Sequence, residues 1–108
     1  MVRMWMVKPE LMCNKHLIGE HCELHIIVGC INKKKSLDGY FESNCIEPEA
    51  IKERHKIIVE EMKHRNFNHN SELPDFDLSY LGDKKKIKIN KEKSYKLLLE
   101  RCDKCIKK

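Results

Sequence analysis

Three separated segments of this chain carry apolar residues at helical spacing, and long polar connections lie between them. This pattern constrains the fold most, because a 3.6-residue period gathers each segment's apolar side chains on one face that must be buried. The first segment covers residues 9–31, with Pro9 suited to a first helical turn and Leu17, Leu24, Val28 and Ile31 on one stripe. The second covers residues 48–66. Glu47, Pro48 and Glu49 open it with carboxylates where the helix dipole favours negative charge, and Ile51, His55, Ile58 and Met62, helped by Val59, form its inner face. The third covers residues 91–106, with Tyr95, Leu98, Leu99, Cys102, Cys105 and Ile106 in line. The expected fold is all-α, a compact single domain over residues 1–108 with three main helices.

The connections are basic or polar. Lys33, Lys34 and Lys35 precede Asp38-Gly39, a turn signal, and Pro74 and Leu81-Gly82 punctuate the second connection. The run Lys84-Lys85-Lys86-Ile87-Lys88-Ile89 reads either as a short edge strand or as a basic extended stretch. Only 4 glycines and 3 prolines argue against a turn-rich β-sandwich. With 41% hydrophobic residues among 108, the chain supports one modest core. No apolar run approaches the roughly 18 residues that cross a bilayer, and the N-terminus lacks a signal-peptide pattern, so an intracellular protein without membrane contact is expected. Its six cysteines are then expected as thiols. The net charge of +5, from 22 basic and 17 acidic residues, suits a polyanionic partner but is by itself a weak signal.

On the first helix His16, Glu20 and Glu23 recur at i, i+4 and i+7 and fall within about 60° of arc. Ile27 and Cys30 extend the strip, which borders the apolar stripe. A carboxylate at such a border is partly desolvated, which raises its pKa and suits it to proton transfer. The plainer reading is that Glu and His on an amphipathic helix are surface residues or local ion pairs. His21 and His25, at i and i+4, suggest a metal site only if a third ligand joins them, and none stands at a recognised spacing. At the N-terminus, valine is small enough for Met1 to be removed, leaving Val2 with a free α-amine. Such an amine titrates near 7.7–8.0 against about 10.4 for lysine, so it is a ready Schiff-base nucleophile without burial.

The stretch His16-Leu17-Ile18-Gly19-Glu20-His21-Cys22-Glu23-Leu24, with Arg3 after a processable residue, resembles the phage pyrimidine-dimer DNA glycosylase family, historically also called endonuclease V. An ungapped second match along the middle helix includes Arg54, Arg65, Phe67 and Asn68, and the resemblance runs from about Val2 to Leu73. It implies a cofactor-free and metal-independent glycosylase with an associated abasic-site lyase step, acting as a monomer on damaged double-stranded DNA. Carried over, Val2 supplies the nucleophile, Glu23 the catalytic carboxylate, and Arg3 and His16 help hold DNA and sugar. Glu20 either joins them or orients His16 or an arginine. Lys33, Lys34 and Lys35, like the run from Lys84 to Lys88, would neutralise phosphates, although any single lysine is more simply solvated surface.

The sequence also departs from the family pattern. Cys22 and Ile26 stand where well-studied members carry arginines that clamp kinked DNA, and the protein is expected to do without the aromatic and basic tail of those members. The lesion, whether a cyclobutane dimer, another damaged base or a modified base, is therefore left open. Cys102 and Cys105 form the chain's C-x-x-C pair. Without a second pair they read as buried small hydrophobes on the third stripe, with Cys13 or Cys45 as the thiols able to approach them. Trp5 either stacks on a base or anchors the terminal segment to the core. Two rivals to the enzyme follow: a non-catalytic DNA-binding module on the same scaffold, and a small zinc-stabilised interaction protein.

Overall fold

A computed structural model describes residues 2–68 and 72–105. Four α-helices follow in order: α1 (Asn14–Asn32), α2 (Asp38–Glu42), α3 (Ile51–His64) and α4 (Lys91–Arg101), with 3₁₀ turns at Pro9–Leu11, Pro48–Ala50 and Ser79–Lys86. The protein is all-α, and no strand occurs among the described residues. No described helix is long and apolar enough to cross a membrane.

α1 packs along α3. The stripe expected on α1 is buried as read: Leu17, Leu24, Val28 and Ile31 are at most 1% exposed. They meet Ile51, Ile58 and Met62 of α3 in one apolar cluster. Three helix ends close by the same device, in which a residue in the left-handed region turns the chain back on the last carbonyls. Lys34 (φ 54°) ends α1, Asn44 (φ 55°) ends α2 and Asn66 (φ 65°) ends α3. In each, the following N–H reaches five residues back, as from Phe67 to the Met62 carbonyl at 2.8 Å. α4 is opened by Asn90, whose side chain accepts from the Lys93 N–H.

Four expectations are corrected. The first helix starts at Asn14, because Met12 and Cys13 are extended and separate it from the 3₁₀ turn at Pro9–Leu11. Asp38-Gly39 opens α2 instead of forming a loop, with buried Leu37 anchoring its start. Lys84, Lys85 and Lys86 close a 3₁₀ segment kinked at Gly82 (φ 59°), so neither a strand nor a fully extended run forms there. The third helix stops at Arg101, since Cys102 is extended (φ −141°, ψ 119°), and Leu99 is 43% exposed in place of lying on the inner stripe. Ile106 lies outside the described residues.

Candidate active site

The site is built on the N-terminal segment, residues 2–8, which is pinned by backbone hydrogen bonds from several elements. The Met4 N–H donates to the Cys45 carbonyl at 2.8 Å. The Trp5 carbonyl accepts from the Ser94 hydroxyl of α4, and the Val7 carbonyl accepts from Arg54 of α3 at 2.8 Å. Met4, Trp5 and Val7 are buried in the core, so the segment is held by its apolar side chains as well as by these hydrogen bonds. Trp5 therefore anchors the segment. The Arg3 guanidinium lies 4.9 Å from its ring centroid and the His16 ring meets it edge-on at 5.9 Å.

This threading places the Arg3 backbone N–H against Glu23, donating to Oε1 at 2.9 Å. Glu23 is half-buried on α1, at the border of the apolar stripe where the spacing had put it. Val2 is also half-buried and immediately precedes the donor. Its nitrogen is thus one residue length (~3.8 Å between Cα atoms) along the chain from the amide that touches the carboxylate.

Glu20, one turn earlier, has a different environment. It is 1% exposed and takes both oxygens to Arg54, at 2.7 Å to Nε and 2.8 Å to Nη2. Arg54 is 4% exposed, and its remaining donors go to the Val7 carbonyl and, at 3.4 Å, to the Met12 sulfur. Of the alternatives read for Glu20, the arginine partner is the one the structure places there. Arg65 acts similarly at the far end of α3. It bonds the Pro9 and Met12 carbonyls at 3.0 and 2.8 Å, Asn14 at 2.9 Å and Glu61 at 2.8 Å, and so holds the start of α1.

His16 lies on the same side of α1 but turns its Nδ1 toward sulfur, 3.2 Å from Cys13 and 3.6 Å from Cys105. Cys13, His16, Cys102 and Cys105 bring their ligand atoms within 4.8 Å of one another, as do His21, His25 and His55. The second group gives the α1 pair the third imidazole that spacing did not reveal, with ring centroids 4.9 to 5.3 Å apart. Desolvation pushes the Cys105 thiol up to about 12. Burial acts the same way on Cys102, but N–H groups of Lys104 and Cys105 and the neighbouring thiols outweigh it and hold that thiol below its ordinary value. The second pair that seemed missing for the C-x-x-C motif is thus Cys13-x-x-His16, legible in the sequence once a histidine is allowed as a member.

The lysines are exposed apart from half-buried Lys85, and their two runs meet. Lys33, Lys34 and Lys35 form the left-handed cap of α1, where the helix dipole favours cations. The Tyr80 hydroxyl donates to the Lys35 carbonyl at 2.9 Å, and Lys84 bonds Asp38, which draws the 3₁₀ segment to the same corner. A 10-residue advance along a helix puts this corner ~15 Å from Glu23.

Comparison with known proteins fits this arrangement. No curated protein and no solved structure matches the chain. The family model described as pyrimidine dimer DNA glycosylase matches residues 2–75, a span containing the pinned N-terminal segment, α1 with Glu20 and Glu23, and α3 with Arg54 and Arg65. The chain belongs to the pyrimidine dimer DNA glycosylase family.

Proposed function

We propose that this glycosylase works through an imine: with Met1 removed, the Val2 α-amine attacks sugar C1′ of a damaged nucleotide. The carbon–nitrogen bond to the base breaks, and the base leaves with the electron pair and takes up a proton. Loss of the amine proton and opening of the sugar ring leave a C1′=N imine, which acidifies C2′–H. Removal of that proton expels the 3′ phosphate by β-elimination and cuts the strand; water then hydrolyses the imine and frees the amine. Glu23 serves as the carboxylate that stabilises the cationic sugar and relays these protons, an effect strongest where charge develops in the transition state. No metal takes part in bond making in this scheme.

The observation that carries the reading is the 2.9 Å bond from the Arg3 N–H to Glu23, because it brings the start of the chain to the one half-buried carboxylate of the family motif. Arg3 and the joined corner of Lys33, Lys34, Lys35 and Lys84 are proposed to hold the phosphates of damaged double-stranded DNA. Borohydride reduction of the protein with ultraviolet-irradiated duplex DNA, beside undamaged and abasic duplexes, tests the scheme. A trapped adduct at the Val2 amine on irradiated DNA is expected. Trapping confined to abasic DNA would keep the lyase step and remove the pyrimidine dimer as substrate. No trapping by protein whose N-terminus is Val2 would leave a DNA-binding module, a reading that exposed Cys22 and Ile26 in place of clamping arginines would then favour.

A further inference from the structure

The cluster of Cys13, His16, Cys102 and Cys105 has no part in the proposed chemistry, yet its four ligand atoms lie within 4.8 Å of one another. Cys13 and His16 stand at the start of α1, Cys102 and Cys105 just beyond α4, so two x-x pairs meet, with Cys13 and Cys102, and His16 and Cys105, each 89 residues apart in the chain. A tetrahedral zinc ion with Zn–S near 2.3 Å and Zn–N near 2.0–2.1 Å requires sulfurs about 3.8 Å apart and sulfur–nitrogen separations of about 3.6 Å. The Cys13 and Cys102 sulfurs are 3.8 Å apart, and His16 Nδ1 is 3.2 Å from Cys13 and 3.6 Å from Cys105.

The backbone around the thiols is also suited to metal-bound thiolates. The Cys13 N–H donates to the Cys105 sulfur at 3.2 Å. Such a donor stabilises charge on ligand sulfur and fixes its orientation. Three thiolates and a neutral imidazole around Zn²⁺ carry a net charge of −1. The depression over the cluster is lined by Lys15, Arg101 and Lys104 against the one carboxylate of Asp103, so the lining stays net positive and offsets it.

We propose that Cys13, His16, Cys102 and Cys105 form a structural zinc site that ties the C-terminal segment to the start of α1. Four protein ligands close the tetrahedron and leave no open position, so the ion has a structural rather than a catalytic role. Soft, sulfur-rich ligands select zinc over the hard divalent cations. Binding displaces the thiol protons to solvent, with no change of oxidation state. The family match supplies Cys13 and His16, whereas Cys102 and Cys105 lie beyond its last residue, 75. The site thus gives the chain's own C-terminal segment a reason to be where it is. By holding His16 against Trp5, it also steadies the segment that carries Val2. The His21, His25 and His55 group offers three ligands, not four, and its rings pack on one another.

Metal content of the full chain, purified without chelator and without added metal, is the first test. About one zinc per chain is expected. Exchange for Co²⁺ should give tetrahedral d–d bands together with thiolate-to-cobalt charge transfer. The paired variant Cys102→Ser/Cys105→Ser should lose the zinc, and His55→Phe should keep it. Chelation should lower Tm by more than about 5 °C. Absence of zinc from a chain that also takes none up, or a cobalt spectrum without sulfur charge transfer, overturns the site; so does a Cys102–Cys105 disulfide found by thiol titration. Zinc retained by the paired variant, or lost from His55→Phe, places the ion elsewhere and overturns it equally. Should the paired variant not fold, the cobalt spectrum of the unmodified chain decides. None of these readouts uses DNA, so failure of the imine chemistry leaves the site untouched.

Discussion

Glu20 and Glu23 stand one turn apart on the same helix, yet the fold gives them opposite surroundings. Glu20 is sealed in the core, both oxygens committed to a buried arginine that also clamps the Val7 carbonyl. Glu23 sits at the rim with one oxygen on the Arg3 amide. A carboxylate whose lone pairs are committed to a fixed cation stabilises one geometry and cannot follow a changing charge. One with spare capacity beside the start of the chain can. Under the proposed mechanism the pair separates scaffold from chemistry within four residues: Arg54 and Glu20 hold the N-terminal segment in place, and Glu23 is the carboxylate proposed to act beside it.

The largest effect expected from this contrast is on stability. Arg54→Met strands Glu20 in the core without a partner, which typically costs about 3–5 kcal/mol. A fall in Tm of at least ~12 °C in a thermal melt follows for a domain of this size. The double variant Glu20→Leu/Arg54→Met should recover most of that loss, because replacing both members of a buried pair removes the uncompensated charge. If Arg54→Met melted like the parent protein, the assignment of Glu20 to the scaffold would fail.

Next comes Glu23→Gln, whose effect should fall on rate. The shape and the amide contact survive, while the negative charge is lost, so base release from irradiated duplex should drop by about 10²–10³-fold. Its Tm should stay within a few degrees of the parent. Cleavage at the parent rate would return Glu23 to the surface residues, and collapse of the fold would make it a second Glu20.

How far the sequence discloses this contrast depends on whether the evidence is local. The α1 stripe is periodic, so burial of Leu17, Leu24, Val28 and Ile31 and the border position of Glu23 are legible. That Glu20 faces Arg54 is not, because the partners lie 34 residues apart and both look like surface side chains. The C-terminal segment misleads for the same reason. Cys102 and Cys105 continue a helical stripe on paper, but the helix ends at Arg101, and beyond it their partners are Cys13 and His16. His55 reads as an inner-face residue and becomes the neighbour of His21 and His25 only when α1 packs on α3. Left-handed caps divide similarly: Asn44 and Asn66 are residues that tolerate φ near +55°, whereas Lys34 carries no such signal.

A smaller effect is expected on the exposed face of α1 beside Glu23. Ile26 is 50% exposed and Cys22 is exposed, so the helix presents no cation there. Cys22→Arg/Ile26→Arg should add up to two phosphate contacts and steepen the dependence of log K on log salt by as much as ~1.8 for duplex DNA. Titrations between about 50 and 200 mM salt would resolve that change. An unaltered slope would mean that DNA does not run along this face, and the path from Glu23 to the lysine corner would need redrawing.

The smallest effect is expected from the exposed ion pair of the lysine corner. Lys84 donates to Asp38, but both side chains are more than half exposed, at 54% and 61%. The hydrogen bond and charge of Lys84 hold the Asp38 carboxyl below its usual value. A lowered carboxyl contributes stability above its unfolded pKa of ~3.9 and loses that contribution as pH falls through the folded value. Any advantage of the parent over Lys84→Ala should therefore be present near neutrality, screened by salt, and gone in strong acid. Water competes for both groups and the long lysine must be ordered, so the melts should differ by a degree or two at most even at pH 7. A loss approaching that of Arg54→Met would show the lysine corner to be scaffold as well, with Lys84 no longer at liberty to leave Asp38 for a phosphate.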